Sequence, residues 1–126
     1  MMHGRSSSSA STTSEAHREV ITNLRAALKD YFGAFPEVQR VILFGSWSDA
    51  SWRPSSDFDL LVVLADAFPV QWFERWRYFP LNLDRAADCI VLTEQEIAQM
   101  LAEKNRFVAS ILEKGVVVYE PGNSDT

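Results

Sequence analysis

A basic surface is the first thing missing from this 126-residue chain: 12 Lys and Arg stand against 17 Asp and Glu, for a net charge of −5. Proteins that grip a nucleic-acid backbone neutralise its phosphates with a clustered basic patch. No such cluster occurs here, so no nucleic-acid partner is expected. Cysteine is nearly absent too. The single Cys89 excludes an internal disulfide and fits a reducing cytoplasm. It lies in an apolar run, where a thiol is buried and inert. No apolar stretch approaches the roughly 20 residues that a membrane helix needs, and the N-terminus lacks the apolar core of a signal peptide. Neither membrane insertion nor export is expected. Internal repeats and a linker that would mark a second domain are also lacking.

What remains is ordinary globular composition, 47% hydrophobic and 23% charged, organised around one stretch. Val38 to Phe44 is a β-branched and aromatic run that reads as a buried strand. It ends in Gly45-Ser46. Ten residues later comes Asp57-Phe58-Asp59, followed by a second such run, Leu60 to Leu64. Glycine lets the backbone approach a phosphate closely, and the serine hydroxyl adds a donor to the free backbone N–H groups there. Asp57 and Asp59 sit two apart, so a pleated strand points both to one face while Phe58 and Leu60 point to the other. Two like charges so close repel unless a proton or cation lies between them. A hard divalent ion with oxygen ligands, Mg²⁺ held with a nucleotide's phosphates, is the expected occupant. The competing structural reading makes Asp57 a turn carboxylate and Asp59 a solvated edge residue, but it leaves a charge inside an apolar run.

A strand, Gly45-Ser46, a ten-residue spacer and Asp57-x-Asp59 on the next strand resemble the nucleotidyltransferase superfamily that includes DNA polymerase β. Over roughly residues 15–120 the chain looks most like the minimal nucleotidyltransferase (MNT) domains, many of them antitoxins encoded beside a HEPN toxin. The resemblance implies ATP as nucleotide donor, Mg²⁺ as cofactor, and a third catalytic carboxylate on the strand beside Asp57-x-Asp59. Asp88 is the matching position, opening the apolar run Ala87 to Leu92. Asp84, in the preceding turn, is the alternative, and Asp88 is preferred because only it lies within a strand. The chain also departs from the family. Many MNT domains continue Gly-Ser-x-Ala-Arg-Gly, whereas Ser48, Asp49 and Ala50 stand in the last three places. Arg53 is the candidate to restore the lost positive charge toward the triphosphate. A chain this short has no room for an acceptor domain. The resemblance therefore implies a protein acceptor, most simply a HEPN-type toxin. The other readings are a non-catalytic MNT-like module that neutralises its partner by binding, and a transferase acting on a small molecule.

The remainder supplies the scaffold. Residues 1–13, rich in Ser and Thr, read as a disordered tail, and 121–126 as a frayed C-terminus, leaving 14–120 as the folded domain. Thr12 to Glu15 has the form of a capping box. Val20, Ile21, Leu24, Leu28, Tyr31 and Phe32 then recur at helical spacing, with His17 expected on the solvated face. Trp47 and Trp52 could stack on a base, but packing of their loop onto the sheet is preferred. Trp72, Phe73, Trp76 and Phe79 fall on one side of a helix. That aromatic surplus suggests a partner surface, on another chain or a second copy of this one. Thr93 to Glu96 is a second capping box, Asn105 caps a further helix, Gly115 ends it, and Val116 to Tyr119 forms a last edge strand. The expected fold is α/β: a small mixed β-sheet of about four strands flanked by helices.

Overall fold

The seven-residue run Val38–Phe44, rich in β-branched residues and ending in an aromatic one, forms the strand on which the sheet is built (β1), and the apolar run Phe58–Leu64 forms β2 beside it. The computed structural model describes residues 5–48, 52, 53, 55–66 and 72–122, and their side chains except those of 5–14, 72 and 73. Ala87–Thr93 is β3 and Val116–Tyr119 is β4, giving the order β3-β2-β1-β4. β1 runs antiparallel to both β2 and β4, whereas β2 and β3 are parallel. The sheet is therefore mixed, with β4 at one edge as expected. Three α-helices flank it: α1 at Arg5–Phe32, α2 at Glu94–Ala102 and α3 at Arg106–Lys114.

The alternation of the strands divides the core into two layers. Val38, Val41 and Leu43 of β1 and Phe58, Leu60, Val62 and Leu64 of β2 pack with Leu24, Leu28 and Phe32 of α1. Ile42, Leu61, Val63 and Leu92 point the other way, onto Ile97 of α2 and Val108 and Ile111 of α3. Every apolar β2 residue is buried, as expected of an interior strand covered on both faces. Each such aliphatic side chain contributes about 1.5–3 kcal/mol on removal from water.

Local signals hold in the second half of the chain. Thr93 Oγ1 accepts from the N–H of Glu96 at 3.1 Å while the Glu96 carboxylate accepts from the Thr93 N–H at 2.9 Å, the reciprocal pair of a capping box. Asn105 Oδ1 accepts from Val108 N–H at 3.0 Å, and Gly115 follows α3 at its C-cap.

The first half differs in two places. Helix α1 begins at Arg5, so Thr12 to Glu15 lies inside it instead of capping it, and residues 5–13 are helical where a tail was expected. Residues 1–4 lie outside the described ones. The aromatic segment Trp72–Tyr78 is a 3-10 helix, not an α-helix. Its three-residue turn places Tyr78 inward instead of the expected stripe. Tyr78 is buried and donates from its hydroxyl to Glu37 at 2.5 Å. Trp76 and Phe79 remain 68% and 39% exposed, and the side chains of Trp72 and Phe73 lie outside the described ones. Arg75 ties the turn to β3 and α2, donating to Val91 O at 2.8 Å and to both Glu96 oxygens at 2.7 and 2.9 Å. Among the described residues, no helix is long and apolar enough to cross a membrane.

Candidate active site

The end of β1 meets the beginnings of β2 and β3 at one rim of the sheet. Phe44 pairs with Asp59 across β1 and β2, and Asp59 pairs with Asp88 across β2 and β3. Phe58 and Leu60, on either side of Asp59, point into the α1 layer, as do Ala87 and Cys89 on either side of Asp88. Both carboxylates therefore face the α2 and α3 side of the sheet, one strand apart. Asp57 immediately precedes β2, which starts at Phe58. The Phe58 N–H donates to Ala86 O at 3.0 Å and so fixes where the strand begins.

Charge accumulates at this rim. Burial, followed by the neighbouring charges of Asp88 and Asp57, holds the Asp59 carboxyl above the usual range. Asp88 and Asp57 thus both lie near enough to Asp59 to disfavour its charge. Asp57 and Asp88 are exposed and Asp59 half-buried. Among the described residues, no three His, Cys, Asp or Glu side chains converge closely enough in this structure to chelate one ion. Asp57 and Asp88, being exposed, have rotamer freedom to close on Asp59. The donor set is all-oxygen and anionic, which suits Mg²⁺ and disfavours softer ions. Behind Asp88, burial and then the Asp88 charge push the Cys89 thiol up to about 12, so it offers almost no thiolate at neutral pH.

Gly45 is required at the rim for two separate reasons. Its φ of +76° is a conformation that side chains rarely adopt. A Cβ there would also collide with Asp59 Oδ2. The glycine thus leaves the space that the Asp59 carboxylate fills. Gly45–Ser48 coils into a 3-10 turn directly after β1, closed by a 2.8 Å hydrogen bond from Ser48 Oγ to Gly45 O. The first N–H groups of such a turn lack partners within it.

The loop is anchored from behind. Trp47 is fully buried, donates from its indole N–H to Ser56 O at 3.0 Å, and stacks on Trp52 with ring centroids 5.1 Å apart. The preferred reading of the two tryptophans as packing residues agrees with this arrangement. Arg85 lies 5.1 Å over the Trp47 ring and 5.0 Å over that of Phe58, and its guanidinium donates to Ser56 O at 3.2 Å. His17, expected on the solvated face, is half-buried instead. Its Nε2 lies 3.0 Å from Trp47 O, and its ring packs 4.9 Å from that of Trp52. A carbonyl only accepts, so Nε2 carries the hydrogen. A signal for this exists in the sequence, since His17 falls on the stripe of Val20, Ile21, Leu24 and Leu28. For Arg85 there is none.

Arg53 is exposed. Its backbone closes a turn, with the Ser56 N–H donating to Arg53 O at 2.9 Å and the Arg53 N–H to Ser56 Oγ at 3.1 Å. Asp49 and Ala50 lie outside the described residues. Asp84 is exposed, in the turn before β3, and pairs with Arg85 at 3.7 Å.

The model for the family described as polymerase β nucleotidyltransferase matches residues 26–123. A Sulfolobus solfataricus protein of known structure, described as a candidate nucleotidyltransferase, superposes with a TM-score of 0.61 at 21% identity, over 96% of this chain and 93% of that one. A toxin-antitoxin structure with AMP-PNP superposes with a TM-score of 0.52 at 19% identity, over 80% and 77%. At these identities the two structures establish the fold. No curated protein matches the chain.

Proposed function

Because the chain belongs to the polymerase β nucleotidyltransferase family, we propose that it is an Mg²⁺-dependent enzyme that moves AMP from ATP to a hydroxyl group on a HEPN-type toxin, acting as its antitoxin. The observation that carries this reading is the placement of Asp59 and Asp88 in register on one face, with the Asp59 carboxylate seated against Gly45. Asp57 and Asp59 would hold Mg²⁺ together with the β- and γ-phosphates, and Asp88 would share in a second site. When bound, the metal supplies positive charge that neutralises the oxygens gaining charge on the triphosphate.

The remaining work falls to the chain. Gly45 and Ser46 cradle the phosphates through backbone N–H groups and a hydroxyl, and Arg53 adds a positive charge from the loop. Asp88 accepts the proton of the acceptor hydroxyl. The freed oxygen bonds to the α-phosphorus, the bond from that phosphorus to the bridging oxygen breaks, and pyrophosphate leaves with its electron pair. Trp47, Trp52, His17 and Arg85 hold the phosphate loop in place. A protein acceptor is supported by the toxin-antitoxin neighbour with AMP-PNP and by the exposure of three large apolar residues close in sequence, Trp76, Phe79 and Leu81, which a partner chain would cover.

A second reading, an impaired module that neutralises its partner by covering it, is favoured by Asp49 standing where the family usually carries arginine. Incubation of the protein and its candidate HEPN partner with Mg²⁺ and α-labelled ATP separates the two. Transfer predicts label on the partner that disappears with Asp59→Asn while association persists. Equal neutralisation by wild type and variant, with no ATP consumed by either, would establish the binding module instead.

A further inference from the structure

Phe107 is the second residue of α3 and is 54% exposed, although its neighbours Val108 and Ile111 are buried. Its ring meets Phe44 edge-on, with centroids 5.7 Å apart and planes at 86°. Phe44 is the last β1 residue, directly before Gly45 and opposite Asp59. Side chains paired across antiparallel strands have their Cβ atoms about 4.5–5.5 Å apart, and Phe44 and Asp59 face the same layer. Phe107 therefore stands one side chain away from the carboxylate rim, on the face that the carboxylates use.

Because the two rings are perpendicular, Phe44 covers at most one face of the Phe107 ring and leaves the other to solvent or ligand. An exposed aromatic ring beside a charged rim gains little from packing, whereas a free π-face is what a purine or pyrimidine stacks upon. We propose that Phe107 is the platform on which the base of the nucleotide stacks, with the phosphates directed to Gly45 and Ser46. This proposal rests on the nucleotide-binding reading above and assigns the nucleoside end of the same ligand. Stacking is tolerant of base identity because every base has a π-face. Phe107 would thus set affinity for a nucleoside over bare phosphate more than choice among bases.

Calorimetric titration with Mg·ATP and with Mg·tripolyphosphate, on wild type and on Phe107→Ala, Phe107→Leu and Phe107→Trp, tests it. Wild type should bind ATP more tightly than tripolyphosphate. Phe107→Ala and Phe107→Leu should weaken ATP about 10-fold or more and leave tripolyphosphate unchanged, while Phe107→Trp restores ATP binding. Phe107→Leu keeps an apolar contact with Phe44, so it decides the matter if Phe107→Ala unfolds. Equal weakening of both ligands, or unchanged ATP binding in Phe107→Leu, would overturn the stacking role while leaving the phosphate site standing. Wild type that binds neither ligand would overturn the nucleotide-binding reading and this inference with it.

Discussion

Replacing Gly45 by alanine separates a backbone requirement from a requirement of the site. At φ +76° an alanine suffers left-handed strain of about 1–2 kcal/mol. Its Cβ also meets Asp59 Oδ2, with Cγ at 3.2 Å and Cβ at 3.4 Å. Because the offending oxygen ends a short side chain, the carboxylate can swing aside at an off-rotamer cost of about 0.5–1.5 kcal/mol. Gly45→Ala should therefore destabilise by about 1.5–3.5 kcal/mol in all. Two controls apportion the loss. Gly122 has φ +93°, and a Cβ added there would meet nothing within 4 Å, so Gly122→Ala reports strain alone. In an Asp59→Ala background the colliding carboxylate is gone, and Gly45→Ala should cost only its strain share. Urea denaturation of the four members of the Gly45/Asp59 cycle reads the coupling directly. The expected interaction is about 0.5–1.5 kcal/mol, accompanied by loss of Mg²⁺ affinity in the single Gly45→Ala variant. A cycle that closes with no interaction would refute the idea that glycine is there to seat Asp59.

Asp59→Asn removes a charge that burial, and then the neighbouring Asp88 and Asp57, disfavour, so without metal the variant should be about 0.5–1 kcal/mol more stable than wild type. Mg²⁺ at 100 times its dissociation constant should reverse the order by adding about 2.7 kcal/mol to wild type alone, a reversal that thermal melts with and without EDTA would detect. Glu96 is held below its usual range chiefly by its hydrogen bond to Arg75. The unfolded chain therefore binds more protons through that window, and stability rises with pH. Glu96→Gln should cost about 0.5–1 kcal/mol at pH 7, with the difference from wild type closing as pH falls below the ordinary value of 4.5 and through the lowered one. Tyr78→Phe should cost about 1.5–3 kcal/mol through loss of the donor to Glu37, whereas Trp76→Ser, at an exposed ring, should stay within about 0.5 kcal/mol. Denaturant midpoints decide between the two aromatics as anchor of the turn.

The strands are legible because their signals are local and redundant. Val38 to Phe44 and Leu60 to Leu64 are largely apolar runs carrying Val or Ile, each preceded by an acidic residue, and their pattern is read without reference to tertiary packing. The caps at Thr93 and Asn105 are readable for the same reason, since a side chain and an N–H three residues apart need no other part of the chain. The aromatic segment is harder, because helical periodicity alone does not separate an α-turn from a 3-10 turn. Changing from 3.6 to 3 residues per turn moves Tyr78 inward and leaves Trp76 outside. His17 has polar neighbours that suggest a solvated face, although its spacing matches the apolar stripe. Its partner is the carbonyl of Trp47, 30 residues away. The register between Asp59 and Asp88 depends on a parallel crossover whose alignment no local pattern encodes. The reason for Gly45, contact with Asp59, becomes visible only once β1 and β2 are paired.

The central claim is that Asp57, Asp59 and Asp88 together hold a divalent cation beside Gly45 and Ser46. Anomalous diffraction from crystals grown with Mn²⁺ and a non-hydrolysable ATP analogue tests this most directly. The expected result is a manganese peak within coordination distance of the Asp57 and Asp59 carboxylates, on the side facing Asp88, and its absence in Asp59→Asn crystals. Nucleotide bound at the rim with no manganese on these carboxylates, or manganese bound elsewhere on the chain, would contradict it.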